Sequence, residues 1–261
     1  MIASISHWSS ITTKEFSDKI NSIALLPVSA IEQHGPHLPL EVDAAINEAI
    51  INEVIIRAPE DLSVLVLPPQ VIGYSEEHKS FPGTLSFSAE TLLATWREIG
   101  EGVASAGLRK LVIFNSHGGQ NELMAIAARQ LRVSVGLFVA SASWSHLTDF
   151  EGLVTPEERR FGIHGGAIET AFMLHVAPQK VKKAYIENFV SAGRAVADGS
   201  TYLQPTGKNS YAWMTEDLNK FGAVGDAAQA TSSMGKEILN RAATGLIDFL
   251  YDVKRIEPHS S

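Results

Sequence analysis

"SIALLPVSAIEQHGPHLPLEVDAAINEAIINEVIIRAP", residues 22–59, decides the fold. It begins with an apolar run over 22–28 that shows no polar alternation. A strand written that way is buried on both faces, as strands of a mostly parallel sheet are. From 43 to 59 the apolar positions take a helical spacing that stops at Pro59. Between the two lies a loop that gathers Glu32, His34, His37, Glu41 and Asp43 within a dozen residues. Pro36 and Pro39 bar a helix there, because proline lacks the donor and clashes with the preceding turn.

The alternation of strand and helix continues outward from this stretch. "SVLVLPP" (63–69), "KLVIFNS" (110–116) and "VSVGLFVAS" (133–141) read as three further buried strands. "SAETLLATWREIGEGVASAG" (88–107), "NELMAIAARQL" (121–131) and "GGAIETAFMLHVAP" (165–178) read as helices, and 232–256 as a long amphipathic C-terminal helix. Residues 183–225 hold no strong period. No repeat or linker interrupts the chain, so 1–261 is expected to be one α/β domain. In such sheets ligands bind beyond the carboxyl ends of the strands. The loops "SAIEQHG", "PPQVIGYSEEHKSFPGT", "NSHGGQN" and "SWSHLTDF" open there.

Composition narrows the chemistry. With 45% hydrophobic and 19% charged residues among 261, a sizeable core is expected rather than disorder. The absence of cysteine excludes disulfides, thiolate ligands and a cysteine nucleophile. A formal charge of −8 argues against a nucleic-acid partner. No secretory pattern opens the chain and no run is long enough to span a bilayer, so a soluble cytoplasmic protein is expected. The serine-hydrolase elbow and the phosphate-binding glycine motifs are missing.

The loops themselves point to a metal. Glu32 and His34 are two apart on an extended segment and lean to one side. Asp43 stands at or just before a helix start, where it also suits an N-cap. Buried carboxylates are costly unless paired or bound to a cation, and this donor set suits zinc, manganese or iron. His117 precedes Gly118 and Gly119, which permit close approach to a ligand or positive φ. His164 precedes a second glycine pair and a helix whose Glu169 has apolar neighbours. Ser75, Glu77 and His78 are candidates for touching a substrate or a neighbouring subunit, and Pro82-Gly83 reads as a type II turn. His7, His146, His175 and His259 carry no such context.

"LLPVSAIEQHGPHLPLEVDA", "EHKSFPGT", "NSHGGQN" and "HGGAIETAF", in that order over roughly 24–175, resemble the creatininase family of metal-dependent amidohydrolases. The resemblance implies a three-layer α/β/α fold with a mostly parallel central sheet and two divalent metal ions per chain, zinc or manganese. It implies that Glu32, His34, Asp43 and His117 are ligands, with Asp43 bridging. It implies that His164 is a proton shuttle and Glu169 a carboxylate at the metal centre. A hydroxide between the metals would attack a C–N amide carbonyl, Gly118 and Gly119 would lie on the substrate side with Ser75 and His78, and a homo-oligomer, the hexamer in particular, would be the assembly. Creatinine-hydrolysing members carry Tyr-Glu after the metal histidine and Trp-Asp before the shuttle histidine. Here those places hold Gly118-Gly119 and Arg160-Phe161, so the metal centre is kept and the creatinine pocket is not. With Tyr-Glu gone, Glu169 or Glu122 is left to complete the second metal site. Other members open oxidised inositol rings, remove formyl groups or trim peptides. A ligand-binding or regulatory protein on the same fold is the competing reading.

Overall fold

The computed structural model describes residues 5–257. His259 therefore lies outside the described residues. A five-stranded parallel sheet runs in the order β1-β3-β2-β4-β5. Its strands are β1 (Ile5–His7), β2 (Ile23–Val28), β3 (Val64–Val66), β4 (Lys110–Asn115) and β5 (Phe138–Ser143). The sheet is covered by α1 (Val42–Arg57), α2 (Ala89–Ser105), α3 (Asn121–Val135), α6 (Ala167–Val176) and α9 (Ser232–Arg255). Smaller elements are α4 (Trp144–Leu147), α5 (Pro156–Phe161), α7 (Gly193–Asp198), α8 (Thr215–Leu218) and an antiparallel pair, β6 (Asn188–Phe189) with β7 (Gly225–Asp226).

Strand β2 shows why the fold has three layers. All six of its residues are buried. Ile23 and Leu25 pack with Ile46, Ile50, Phe172 and Leu246 of α1, α6 and α9. Ala24, Leu26 and Val28 pack with Leu92, Trp96 and Leu131 of α2 and α3. A strand with a core on each side must be apolar throughout, which is the pattern of residues 22–28.

The expected elements are present, with two corrections. The run over 133–141 is not one strand. Val133 and Val135 finish α3, Gly136 closes that helix with φ +71°, and the strand begins at Phe138. A left-handed glycine is the usual helix stop, and it outweighed the β-branched character of Val133 and Val135. The three-residue edge strand β1, parallel to β3, was not expected. No helix among the described residues is long and apolar enough to cross a membrane.

The chain leaves β2 toward β3 on one side and leaves β4 toward β5 on the other. The crevice beyond the carboxyl ends of β2 and β4 is therefore the switch point at which parallel sheets bind ligands. Asn47 of α1 secures that edge. Its Nδ2 donates to the Val28 carbonyl at 3.0 Å and the Phe114 carbonyl at 3.2 Å.

Candidate metal centre

Five loops and helices deliver the polar side chains to this crevice. Glu32 and His34 come from the loop after β2, Asp43 from the first turn of α1, and His117 from the loop after β4. His164 precedes α6, and Glu169 lies in its first turn. Glu32, His34, Asp43, His117 and His164 are all buried. Gly35, at φ +74°, turns the first loop back. A Cβ there would lie 2.6 Å from that of Ala223, so only glycine fits.

The side chains converge on Asp43. Its Oδ1 is 3.5 Å from His34 Nε2 and its Oδ2 is 3.4 Å from His117 Nδ1. Glu32 Oε2 is 3.2 Å from His117 Nδ1. Glu32 Oε1 is 3.9 Å from His34 Nε2 and 3.7 Å from His164 Nδ1. Glu169 Oε2 is 3.9 Å from His34 Nε2 and accepts from Gly165 N at 2.5 Å. Asp43 is not an N-cap. The cap position of α1 is Glu41, and the Asp43 side chain, two residues further in, turns to the imidazoles instead.

Each imidazole is held from behind. His34 Nδ1 donates to the Glu32 carbonyl at 3.0 Å, and His117 Nε2 donates to the Tyr74 carbonyl at 2.8 Å. Asn115 fixes the His117 loop, its Oδ1 accepting from His117 N at 2.9 Å and from Gln120 Nε2 at 2.8 Å. Ser116 Oγ donates to the Asp43 carbonyl at 2.7 Å, tying the β4 loop to α1. Glu158 of α5 anchors the start of α6, its carboxylate accepting from Ala167 N and Asp226 N, each at 2.7 Å. An imidazole that gives one N–H to a carbonyl presents its other nitrogen to a metal in a fixed orientation.

The charges are tuned by these neighbours. Burial pushes the Glu32 carboxyl up, yet the imidazoles of His117 and His78 outweigh it and hold it well below the usual range. Burial would lower His34, but the Asp43 carboxylate, helped by Glu169 and Glu32, raises it to about 9. His117 is raised well above the ordinary value, with Glu32 and Asp43 overcoming burial. Burial drives His78 down to about 4 and His164 well below its ordinary value, the latter helped by the rings of His34 and His78. Burial, with the Asp43 carboxylate behind it, lifts Glu169 to about 7 against the pull of His34.

Three donor groups could each hold a cation: Glu32, Asp43 and His117; His34, Asp43 and Glu169; and Glu32, His34 and His164. Glu32 Oε2, His34 Nε2 and Asp43 Oδ2 are buried with no hydrogen-bond partner. Buried polar atoms are nearly always paired, so three orphans on three facing side chains fit divalent cations that complete them. Glu122 is exposed at the start of α3 and belongs to none of these groups.

The second-rank candidates fall into place differently. His78 is in the cluster, with Nε2 3.4 Å from Glu32 Oε1. Ser75 is fully buried and its Oγ lacks a partner. Neither Gly118 nor Gly119 takes positive φ. Gly118 is exposed beside open space, whereas a Cβ on Gly119 would meet the Glu77 carboxylate. Gly83 has φ +97°, as the second central residue of a type II turn requires. The loop after β5 contributes packing instead, Trp144 lying edge-on to Phe150 and Phe172. His7 and His146 are exposed and His175 is half-buried in the last turn of α6.

Sequence reasoning passed over Gln33 and the segment 183–225. Gln33 Nε2 donates to the Gly222 carbonyl at 2.8 Å, and Thr215 Oγ1 contacts His78 Nδ1 at 2.8 Å. The aperiodic segment thus closes over the site. Only the polar character of Gln33, between two ligand candidates, offered a signal.

Comparison with known proteins agrees with this geometry. The family model described as creatininase, creatinine amidohydrolase, matches residues 8–250. The mycofactocin precursor peptide peptidase of Mycolicibacterium smegmatis is 31% identical over 238 residues, covering 90% of this chain and 86% of that protein. The creatinine amidohydrolase of Pseudomonas putida is 31% identical over 191 residues, covering 66% and 72%. In fold, an E122Q mutant creatininase complexed with creatine superposes with a TM-score of 0.75 at 24% identity, covering 96% and 99% of the two chains. Creatininase structures of the same fold include a Zn-Zn type and an Mn form. The chain belongs to the creatininase family of hydrolases that act on C–N bonds.

Proposed function

We propose that this chain hydrolyses a C–N amide bond of a small molecule, cyclic or linear, with two divalent ions, zinc or manganese, held in the crevice. The observation that carries the reading is the Asp43 carboxylate. It offers one oxygen to the side of His34 and the other to the side of His117. Glu32, His117 and Asp43 would hold one ion, and His34, Glu169 and the shared Asp43 the other. Such ions acidify water and polarise a carbonyl oxygen.

The residues of the chain do the rest. Asp43 and Glu32 supply the negative charge that balances two cations in a buried place. The backbone carbonyls of Glu32 and Tyr74 fix the ring orientations of His34 and His117. His164, whose Nδ1 faces the cluster, takes a proton and returns it to the leaving nitrogen. We assign Ser75, His78, Gly118 and Gly119 to the substrate side. Glu77 and the 183–225 segment narrow the approach.

A peptide amide is the second reading, favoured by the relatives whose names are peptidases. Creatinine is not favoured, since Gly118-Gly119 and Arg160-Phe161 replace the residues that line its pocket in the resemblance drawn above. We further propose one domain over 1–261, a cytoplasmic homo-oligomer with a hexamer preferred, and no nucleic-acid partner. The test is metal analysis followed by a panel of cyclic amides, linear amides and short peptides. Activity should vanish with a chelator and return with zinc or manganese. Hydrolysis that survives complete metal removal would overturn the reading.

A further inference from the structure

Four buried imidazoles surround Glu32 and Asp43, and the group behind each ring decides which nitrogen carries hydrogen in the neutral form. A carbonyl can only accept. His34 Nδ1, His117 Nε2 and His164 Nε2 each meet a carbonyl, those of Glu32, Tyr74 and Gln33, at 3.0, 2.8 and 2.6 Å. In its neutral form each of those rings gives its hydrogen outward and turns the other, bare nitrogen to the carboxylates.

His78 is reversed. Behind it, Nδ1 meets Gln33 Nε2 at 2.7 Å and Thr215 Oγ1 at 2.8 Å. The Gln33 amide cannot be turned round. Its Oε1 accepts from Gly35 N at 2.9 Å, and its Nε2 donates to the Gly222 carbonyl at 2.8 Å. His164 Nε2, 3.3 Å from that nitrogen, already gives its hydrogen to the Gln33 carbonyl and cannot accept, so the second hydrogen of the amide points at His78 Nδ1. The Thr215 hydroxyl is a rotor that lies 2.8 Å from both the Glu77 carbonyl and His78 Nδ1, so it can turn its hydrogen to the ring, whereas the planar Gln33 amide has no such freedom. His78 Nδ1 is an acceptor, and the ring hydrogen sits on Nε2, which is 3.4 Å from Glu32 Oε1. The other oxygen of the same carboxylate, Oε2, has no partner.

We propose that Gln33 is a positioning residue that holds His78 with its hydrogen on Nε2, and that His78 thereby occupies Glu32 Oε1 and leaves Oε2 for a cation. This rests on the metal-dependent reading given above. It moves His78 from the substrate side to the support of a ligand, and it separates two neighbouring rings by role. The ring of His164 lies beside that of His78, centroids 4.2 Å apart and planes tilted by 32°, yet it presents a bare nitrogen to the same carboxylate. Groups that orient a ligand from behind are worth about 10–100-fold in metal affinity.

The test is solid-state NMR of protein labelled with 15N,13C-histidine, zinc-free and zinc-loaded, with a His78→Asn spectrum to identify the His78 signals. Hydrogen on Nε2 of His78 in both states, with no zinc-ligation shift, is expected. Gln33→Glu, which has no hydrogen to give, should move the hydrogen to Nδ1. It should also lower zinc affinity about 10–100-fold in a chelator competition. Hydrogen on Nδ1 in the wild type, or zinc bound to His78, overturns the proposal. That spectrum needs no variant at Gln33 to fold. A chain that binds no zinc refutes the metal reading, while the zinc-free spectrum still decides the His78 tautomer.

Discussion

A Cβ placed on Gly119 would lie 2.0 Å from Oε1 of Glu77 and 2.7 Å from Nε2 of His117. The carboxylate of one loop thus fills the space above the glycine of another. Gly119→Ala must displace a flexible acid and a ring held by the Tyr74 carbonyl. Overpacking of this kind costs about 1–3 kcal/mol. Glu77→Gly in the same chain should recover part of that loss but not all, because the His117 contact stays. Urea unfolding of the metal-free variants checks this, and an unchanged midpoint for Gly119→Ala would refute it.

Asp43 faces two imidazoles with two oxygens. Asp43→Ala should therefore strip both metals, whereas His34→Ala should cost mainly one. Elemental analysis of purified variants gives the ratio directly. A full complement in Asp43→Ala would exclude a bridging role.

Glu169 and Glu122 separate cleanly in space. Glu169 lies 3.9 Å from His34 Nε2, and Glu122 is exposed on α3. Glu169→Gln keeps the shape and removes the charge, so it should release about one metal per chain. Glu122→Gln should leave the content unchanged. The reverse pattern would transfer the assignment.

His164→Ala should retain both metals and lose turnover by about 10²–10⁴-fold. The measurement is metal content and turnover on whichever amide the panel identifies. Loss of metal would make His164 a ligand, as its place with Glu32 and His34 permits.

Zinc should expel protons from the metal-free protein. His34 sits at about 9 and His117 well above its ordinary value, so both rings are charged near neutrality. A metal takes only the neutral ring, and its affinity should climb as pH rises toward about 9. The sign for stability follows from the same shift. The raised His34 stabilises the metal-free fold fully below the ordinary imidazole value and loses that contribution as pH passes about 9. Calorimetry in buffers of different ionisation heat counts the protons, and a binding heat independent of buffer would contradict the prediction.

The sheet was legible because β2, β3 and β4 are buried on both faces, which forces uninterrupted apolar runs. The edge strand β1 was not, since three residues with one exposed end leave no pattern. Among site residues, Glu32, His34, Asp43 and His117 stood out as charge without a helical period, next to strand ends. Gln33 sat in plain view between two of them, but its meaning depends on Gly222, 189 residues away. Thr215 likewise reaches His78 across 137 residues. Local sequence carries the metal-ligand candidates and the carbonyls that aim His34, His117 and His164, whereas the contacts that fix Gln33 and His78 come from a segment whose own backbone has no period to read.

Asn47 gives the crevice a mechanical property. One amide grips the last carbonyl of β2 and the penultimate residue of β4 from beneath. The loops that carry Glu32 and His117 start from those strand ends. A single side chain thus ties the two loop origins to each other, so their spacing is set by one amide as well as by the sheet. The approach side has no such local tie and depends on contacts that residues 183–225 bring from far along the chain, Gly222 to Gln33 and Thr215 to His78.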